Sequence, residues 1–292
     1  MDEKRGIDSF GAIALGGFAV LLAFNQVVVK VTGSGFGPVF QAGLRSALGL
    51  GILGLWMAWR RPAGFSFSPG VHLWGVVSGL LFSFEFICMF LALDFSTVSR
   101  VSVFFYSMPV WLALAAHFAL PGEHLTRPRA IGLACAMAGV ALAMLDREGG
   151  GASLTGDALA LMAAFGWGAI ALCVRMTPLA KVPPATQLVY QLAVSAPILL
   201  IAAPFFGPVI RSPEPLHYWG LAFQAICIAS LGYLFWFWLI TIYRASSVAS
   251  FSFLSPVLAV IMGWLILGER IGFQVWLALA LVAAGVFLIN RK

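Results

Sequence analysis

Apolar residues in this sequence come in long unbroken runs, and polar residues gather in the short gaps between them. A helix crossing the hydrocarbon core of a bilayer takes about 20 mainly apolar residues at about 1.5 Å each. Ten runs meet that length: 10–31, 38–59, 71–93, 97–119, 128–145, 156–176, 184–206, 217–243, 246–267 and 272–290. Turn formers fill several gaps, among them GSGFGP ending at Pro38, RRPAG at 60–64, GGG at 149–151 and GPVIRSPEP at 207–215. The pattern predicts an all-α integral membrane protein of ten transmembrane helices, with no linker long enough to divide two soluble domains.

Composition agrees with that pattern. Of 292 residues 61% are hydrophobic and 10% charged, and the mean hydropathy is +0.98. A water-soluble interior cannot hide so much apolar side chain, so the solvent is largely lipid. The formal charge of +6 does not point to nucleic acid, because basic residues stand singly or in pairs at the ends of runs, where anionic lipid is their partner. Cys88, Cys135, Cys173 and Cys227 lie inside apolar runs, without a metal-ligand spacing, and read as packing residues. The start, MDEKRGIDSF, is charged like a signal peptide, but the run behind it is too long and lacks a cleavage site, so a retained first span is expected.

Charge also orients the spans. Lys4, Arg5, Arg60, Arg61, Arg127, Arg129, Arg175, Lys181, Arg244, Arg291 and Lys292 fall on the side of the N-terminus; Lys30, Arg100, Arg147, Arg211 and Arg270 fall on the other. The excess places both termini in the cytoplasm.

Phrases recur between the halves. SMPVWLALAAHFALPGE at 107–123 returns as LSPVLAVIMGWLILGE at 254–269, so that Pro109 matches Pro256 and Gly122-Glu123 matches Gly268-Glu269. Ala138-Gly139-Val140 matches Ala284-Gly285-Val286, Lys30 matches Arg175, Pro38 matches Pro183, and Arg45 matches Tyr190. Two units, 1–148 and 149–292, thus hold five spans each. Because five is odd, the second unit crosses the membrane in the opposite sense, which predicts an inverted-topology repeat. Two such halves can open a cavity to one side and then to the other.

The same residues carry a family resemblance. Asn25 and Lys30, Pro38 and Arg45, Trp167-Gly168 with Arg175, and the paired P…GE hairpins resemble the EamA-type members of the drug/metabolite transporter superfamily, over nearly the whole chain. Within the superfamily the chain looks most like the YddG amino-acid exporters. The first half carries Leu22-Ala23 where the family often has Trp-Gly, so the Trp167 setting occurs in the second half alone. The resemblance implies a secondary exporter of amino acids, aromatic or of broad specificity, working by alternating access in a bacterial inner membrane.

Charge inside lipid is costly and marks function first. Glu85 is the only carboxylate deep in a run and Arg45 the only deep cation; span arithmetic puts them about 12 and 10 Å from the same membrane face. They either form a structural ion pair between the second and third spans, or Glu85 faces a cavity, attracting a substrate ammonium or carrying a proton. Phe82, Glu85, Phe86 and Met89 share one helix face, and Ala229, Gly232, Tyr233 and Trp236 share the matching face of span eight. These stripes are either packing or the wall of a site for a small amphipathic solute. Ser99, Ser102 and Tyr106 lead to Pro109, and Ser246, Ser250 and Phe253 lead to Pro256. Each proline withholds an N–H from its helix, predicting a mid-membrane kink and a candidate hinge. Trp167, between Gly166 and Gly168, is a further candidate wall residue, whereas Glu123 and Glu269 read as turn and helix-start residues.

The candidate substrate site is therefore Phe82, Glu85, Phe86, Ser102, Tyr106, Trp167, Tyr233, Trp236 and Ser250. No catalytic residue, metal site or cofactor is expected: G-x-S-x-G, H-E-x-x-H and the P-loop do not occur, GSGFG fails dinucleotide-loop spacing, and the four histidines lie near span ends with no metal or nucleophile partner at a recognisable spacing. An exporter of drugs or organic cations, with Glu85 as counter-charge, is the second reading, and an intramembrane enzyme a third.

Overall fold

A computed structural model describes residues 8–60, 69–120, 126–145, 153–243 and 254–290. Twelve α-helices follow in order: α1 Ser9–Thr32, α2 Pro38–Arg60, α3 Pro69–Phe95, α4 Val98–Phe105, α5 Met108–Ala119, α6 Arg127–Leu145, α7 Leu154–Met176, α8 Pro184–Ala202, α9 Pro215–Phe223, α10 Leu231–Ile242, α11 Leu254–Leu267 and α12 Phe273–Asn290. Among the described residues no strand forms; a single bridge joins Phe36 to Ile210. In lipid this is the expected outcome, since a helix satisfies its backbone polar groups within one segment.

Among the described residues eight helical stretches are long and apolar enough to cross a membrane, and Leu254–Leu267 and Phe273–Ile289 are shorter apolar helices. Local signals set several boundaries. Asp8 caps α1 by accepting from the Gly11 N–H at 2.7 Å, Thr97 caps α4, and Ser153 caps α7 through the Gly156 N–H at 3.1 Å. Two spans are interrupted rather than continuous. The fourth is broken at Tyr106–Ser107, and the eighth passes through a π-helical segment, Gln224–Ile228, between α9 and α10.

The break revises the expectation for Pro109, which does not kink a continuous helix. Pro109 lies in the first turn of α5, where its fixed φ suits the helix and its missing N–H is one that a first turn leaves without an intrahelical acceptor in any case. Ser107 closes α4 instead, its hydroxyl donating to the Phe104 carbonyl at 2.5 Å. Pro256 is the third residue of α11; its partners Ser246, Ser250 and Phe253, like Glu123, lie outside the described residues.

Small residues govern the closest helix crossings, as they do where lipid removes the usual hydrophobic drive. The most extensive pairing is α6 with α12. A Cβ on Gly139 would stand 2.7 Å from the Ala278 carbonyl oxygen, and one on Gly285 would stand 2.5 Å from that of Gly132. The matched Ala-Gly-Val phrases thus lie in the two helices that pack together. Other contacts between the halves are α2 with α8, α4 with α11, α3 with α7 and α8, α1 with α9 and α11, and α4 and α5 with α7.

Candidate functional site

Buried polar groups concentrate where the halves meet. Arg45 is 4% exposed and Glu85 6%. Of the two alternatives the sequence left open, a direct ion pair is not formed. The Arg45 guanidinium carbon lies 4.5 Å from the centroid of the Phe86 ring, a cation–π arrangement, and the guanidinium donates to the Tyr233 hydroxyl. Glu85 attracts Arg45 at longer range and has no hydrogen-bonding partner among the described residues. α7 packs closely on α3 at Glu85: a Cβ on Gly166 would stand 3.2 Å from the Glu85 Cβ, a contact tighter than most, which glycine avoids.

Among the described residues several buried polar atoms have no hydrogen-bonding partner: Asn25 Oδ1, Gln26 Oε1, Gln41 Oε1, Arg45 Nε, Ser46 Oγ and Ser102 Oγ. Such atoms are rare in folded proteins and cost about 1–3 kcal/mol each when left dry. Tyr106, 8% exposed, brings its hydroxyl toward Gln26 and Ser255. Sequence reasoning singled out Ser102 and Tyr106 but passed over Gln26, Gln41, Ser46 and Ser255. Their signal was available: a polar side chain inside an apolar run.

An aromatic wall completes the site. Phe82 and Phe86 lie 4.3 Å apart between centroids, Trp167 stacks on Phe105 at 5.1 Å, and Tyr106 meets Trp167 edge-on at 6.4 Å. Phe82, Phe86 and Met89 belong to the central core, against which Tyr233 packs. Trp236 does not join them. It stacks on Phe18 of α1 at 5.2 Å, in a separate cluster with Leu15, Leu239 and Tyr243, because α10 packs its Trp236 edge on α1. Ser250 is outside the described residues.

One end of the bundle is tied across the halves. Glu269 accepts from the N–H groups of Val98 at 2.7 Å and Ser99 at 2.9 Å, and from the Ser99 hydroxyl at 2.5 Å. It is a helix-start carboxylate, as expected, but for α4 rather than for its own turn. Arg211 grips Asp94 with both terminal nitrogens, at 2.6 Å and 2.8 Å, and donates to the Gly33 carbonyl at 2.9 Å. These hydrogen bonds to Asp94 hold the Arg211 guanidinium above its ordinary pKa. Lys30 donates to the carbonyls of Leu93 at 2.6 Å and Ser96 at 2.8 Å, closing the end of α3. Arg100, counted from sequence among the solvent-side charges, is instead buried against Asp157. Glu269→Gln is expected to lower stability by about 1–3 kcal/mol, measured as the thermal midpoint in detergent; an unchanged midpoint would show that the cap carries no weight.

A multi-pass helical protein with unpaired charges and orphaned polar atoms buried between two halves has the make-up of a membrane transporter. The comparisons define it further. The EamA-like transporter family matches residues 9–145 and again 154–291, and the chain belongs to that family. It is similar to the uncharacterized transporter YoaV of Bacillus subtilis, with 27% identity over 202 residues, 67% of this chain and 68% of that one. It is 24% identical to YvbV of the same organism, over 96% of this chain and 92% of YvbV, and 26% identical to an uncharacterized transporter of Archaeoglobus fulgidus, over 94% of each. A crystal structure titled only as that of a protein shares the fold, with a TM-score of 0.65 at 21% identity and coverage of 96% of this chain and 97% of that one.

Proposed function

We propose that the chain is a secondary transporter exporting amino acids, aromatic or of broad specificity, and related small amphipathic metabolites by alternating access. The observation that carries this reading is the buried cluster of Arg45, Glu85 and orphaned polar atoms beside an aromatic wall. A site of that kind suits a small solute with a polar head and an apolar body. The setting is a bacterial inner membrane with both termini cytoplasmic, the polar ties around Glu269 and Arg211 then forming an outer gate. No ATP-binding motif occurs in the sequence, so the driving force is the solute's own gradient or an ion.

The two units, 1–148 and 149–292, are read as inverted five-helix repeats making ten spans. Contacts support this. When each of the ten runs is exchanged for its counterpart, α1 with α11 becomes α7 with the fourth span, and α3 with α7 becomes the α9 segment with α1. The pairs α2 with α8, α4 with α11 and α6 with α12 map onto themselves.

Flux of labelled amino acids and organic cations into vesicles holding the purified chain tests the proposal, and no flux for any solute would refute it. Glu85→Gln is expected to slow cationic solutes more than neutral ones, whereas equal slowing would make Glu85 structural. Indifference to an imposed pH gradient would exclude proton coupling. The second reading, export of organic cations, draws on the unpaired Glu85; it prevails if cations move and amino acids do not.

A further inference from the structure

Arg45 and Glu85 pose a physical problem that the amino-acid reading does not by itself resolve. An arginine 4% exposed and a carboxylate 6% exposed share one buried region, where removing each from water costs several kcal/mol. Direct contact would recover part of that cost, yet the two do not touch. Arg45 spends its terminal nitrogens elsewhere, reaching Tyr233 and lying over Phe86, and its Nε–H has no partner. Glu85, on the residue next to Phe86, is likewise unpartnered among the described residues. Two opposite charges are thus held near one another but apart, each with unfilled hydrogen-bonding capacity.

We infer that Arg45 is the carboxylate anchor of a zwitterion-binding site, with Glu85 facing the ammonium group of the same solute and Phe86, Phe105 and Trp167 bordering its apolar part. An α-amino acid carries its two charges one carbon apart, so its head group can occupy the space between a cation and an anion that do not meet. The occupied site is neutral overall, as a low-dielectric region requires. Guanidinium suits the anchor role because its planar fork matches a carboxylate, which an ammonium does not. Ser46, the next residue on α2, and Gln26 on α1 have orphaned oxygens. The serine hydroxyl can donate to a carboxylate, and the glutamine oxygen can accept from an ammonium.

This inference rests on the amino-acid reading above, and its test separates the two. The full chain is reconstituted in vesicles and given labelled L-phenylalanine, 2-phenylethylamine, which lacks the carboxylate, and 3-phenylpropionate, which lacks the ammonium. Wild type is expected to carry phenylalanine with a KM at least about tenfold below that of either analogue, the scale of one lost charge-assisted hydrogen bond. Arg45→Gln should raise the KM for phenylalanine about 10–100-fold while shifting that for phenylethylamine far less, so that preference between the two narrows or inverts. Arg45→Lys keeps the charge without the fork and should move in the same direction by a smaller factor. It decides the matter if Arg45→Gln yields no folded protein by gel filtration. Amino-acid flux with equal KM changes for amine and amino acid would overturn the anchor alone. Failure of wild type to carry any amino acid would overturn the functional reading and the anchor with it.

Discussion

Asp157→Ala is expected to lower the stability of the folded chain by about 3–5 kcal/mol, the cost of leaving a buried partner charge uncompensated. Asp157 is 2% exposed and Arg100 4%. The Arg100 Nε donates to Asp157 Oδ1 at 3.1 Å, the Ser96 hydroxyl donates to the same oxygen at 3.3 Å, and Arg100 also reaches the Ala143 carbonyl at 2.7 Å. These contacts join α4, α6 and α7. With the carboxylate gone, the guanidinium loses its counter-charge in a buried site. The thermal midpoint of the detergent-solubilised protein reads the loss. Adding Arg100→Met should restore most of it, since a buried ion pair can be replaced by apolar groups at little cost. Equal midpoints for the single and double variants would show that Arg100 finds another partner.

The second large effect is expected at the α6–α12 crossing. Gly285→Leu must push the helices apart, because even a Cβ there would meet the Gly132 backbone oxygen at 2.5 Å and the Ala136 Cβ at 2.6 Å. Backbone cannot give way as a flexible side chain can, so a loss of at least about 2 kcal/mol is expected. Gly17→Leu is the control: nothing lies within 4 Å of its Cβ position on α1, and removing a helical glycine slightly favours the helix. Folded yield by fluorescence-detected gel filtration compares the two. Similar yields would mean that α6 and α12 separate without consequence.

The legible parts of the fold were those that depend on one segment at a time. The run at 71–93 became α3, Pro69–Phe95, because a bilayer-length apolar run has few alternatives to a helix. The glycines flanking Trp167 were legible in the same local way, and Gly166 is where α7 comes close to Glu85. Where reasoning needed a partner from another segment, it went astray. Trp236 was placed beside Glu85 by repeat matching, but the rotation of α10 against α1 puts it on Phe18.

The sequence by itself determined that this chain is helical and lives in lipid, that its halves repeat one another, and that Arg45 and Glu85 are charges set well inside apolar runs. Those properties follow from run length, hydropathy and residue identity, which are one-dimensional. Only the tertiary structure decided that Arg45 and Glu85 stay apart, that Arg100 is buried on Asp157, and that Glu269 caps a helix 170 residues away. Each depends on which helix faces meet, and in lipid that choice is made by close backbone approach at small residues and by polar groups seeking partners, not by the apolar pattern, which is nearly uniform around every helix.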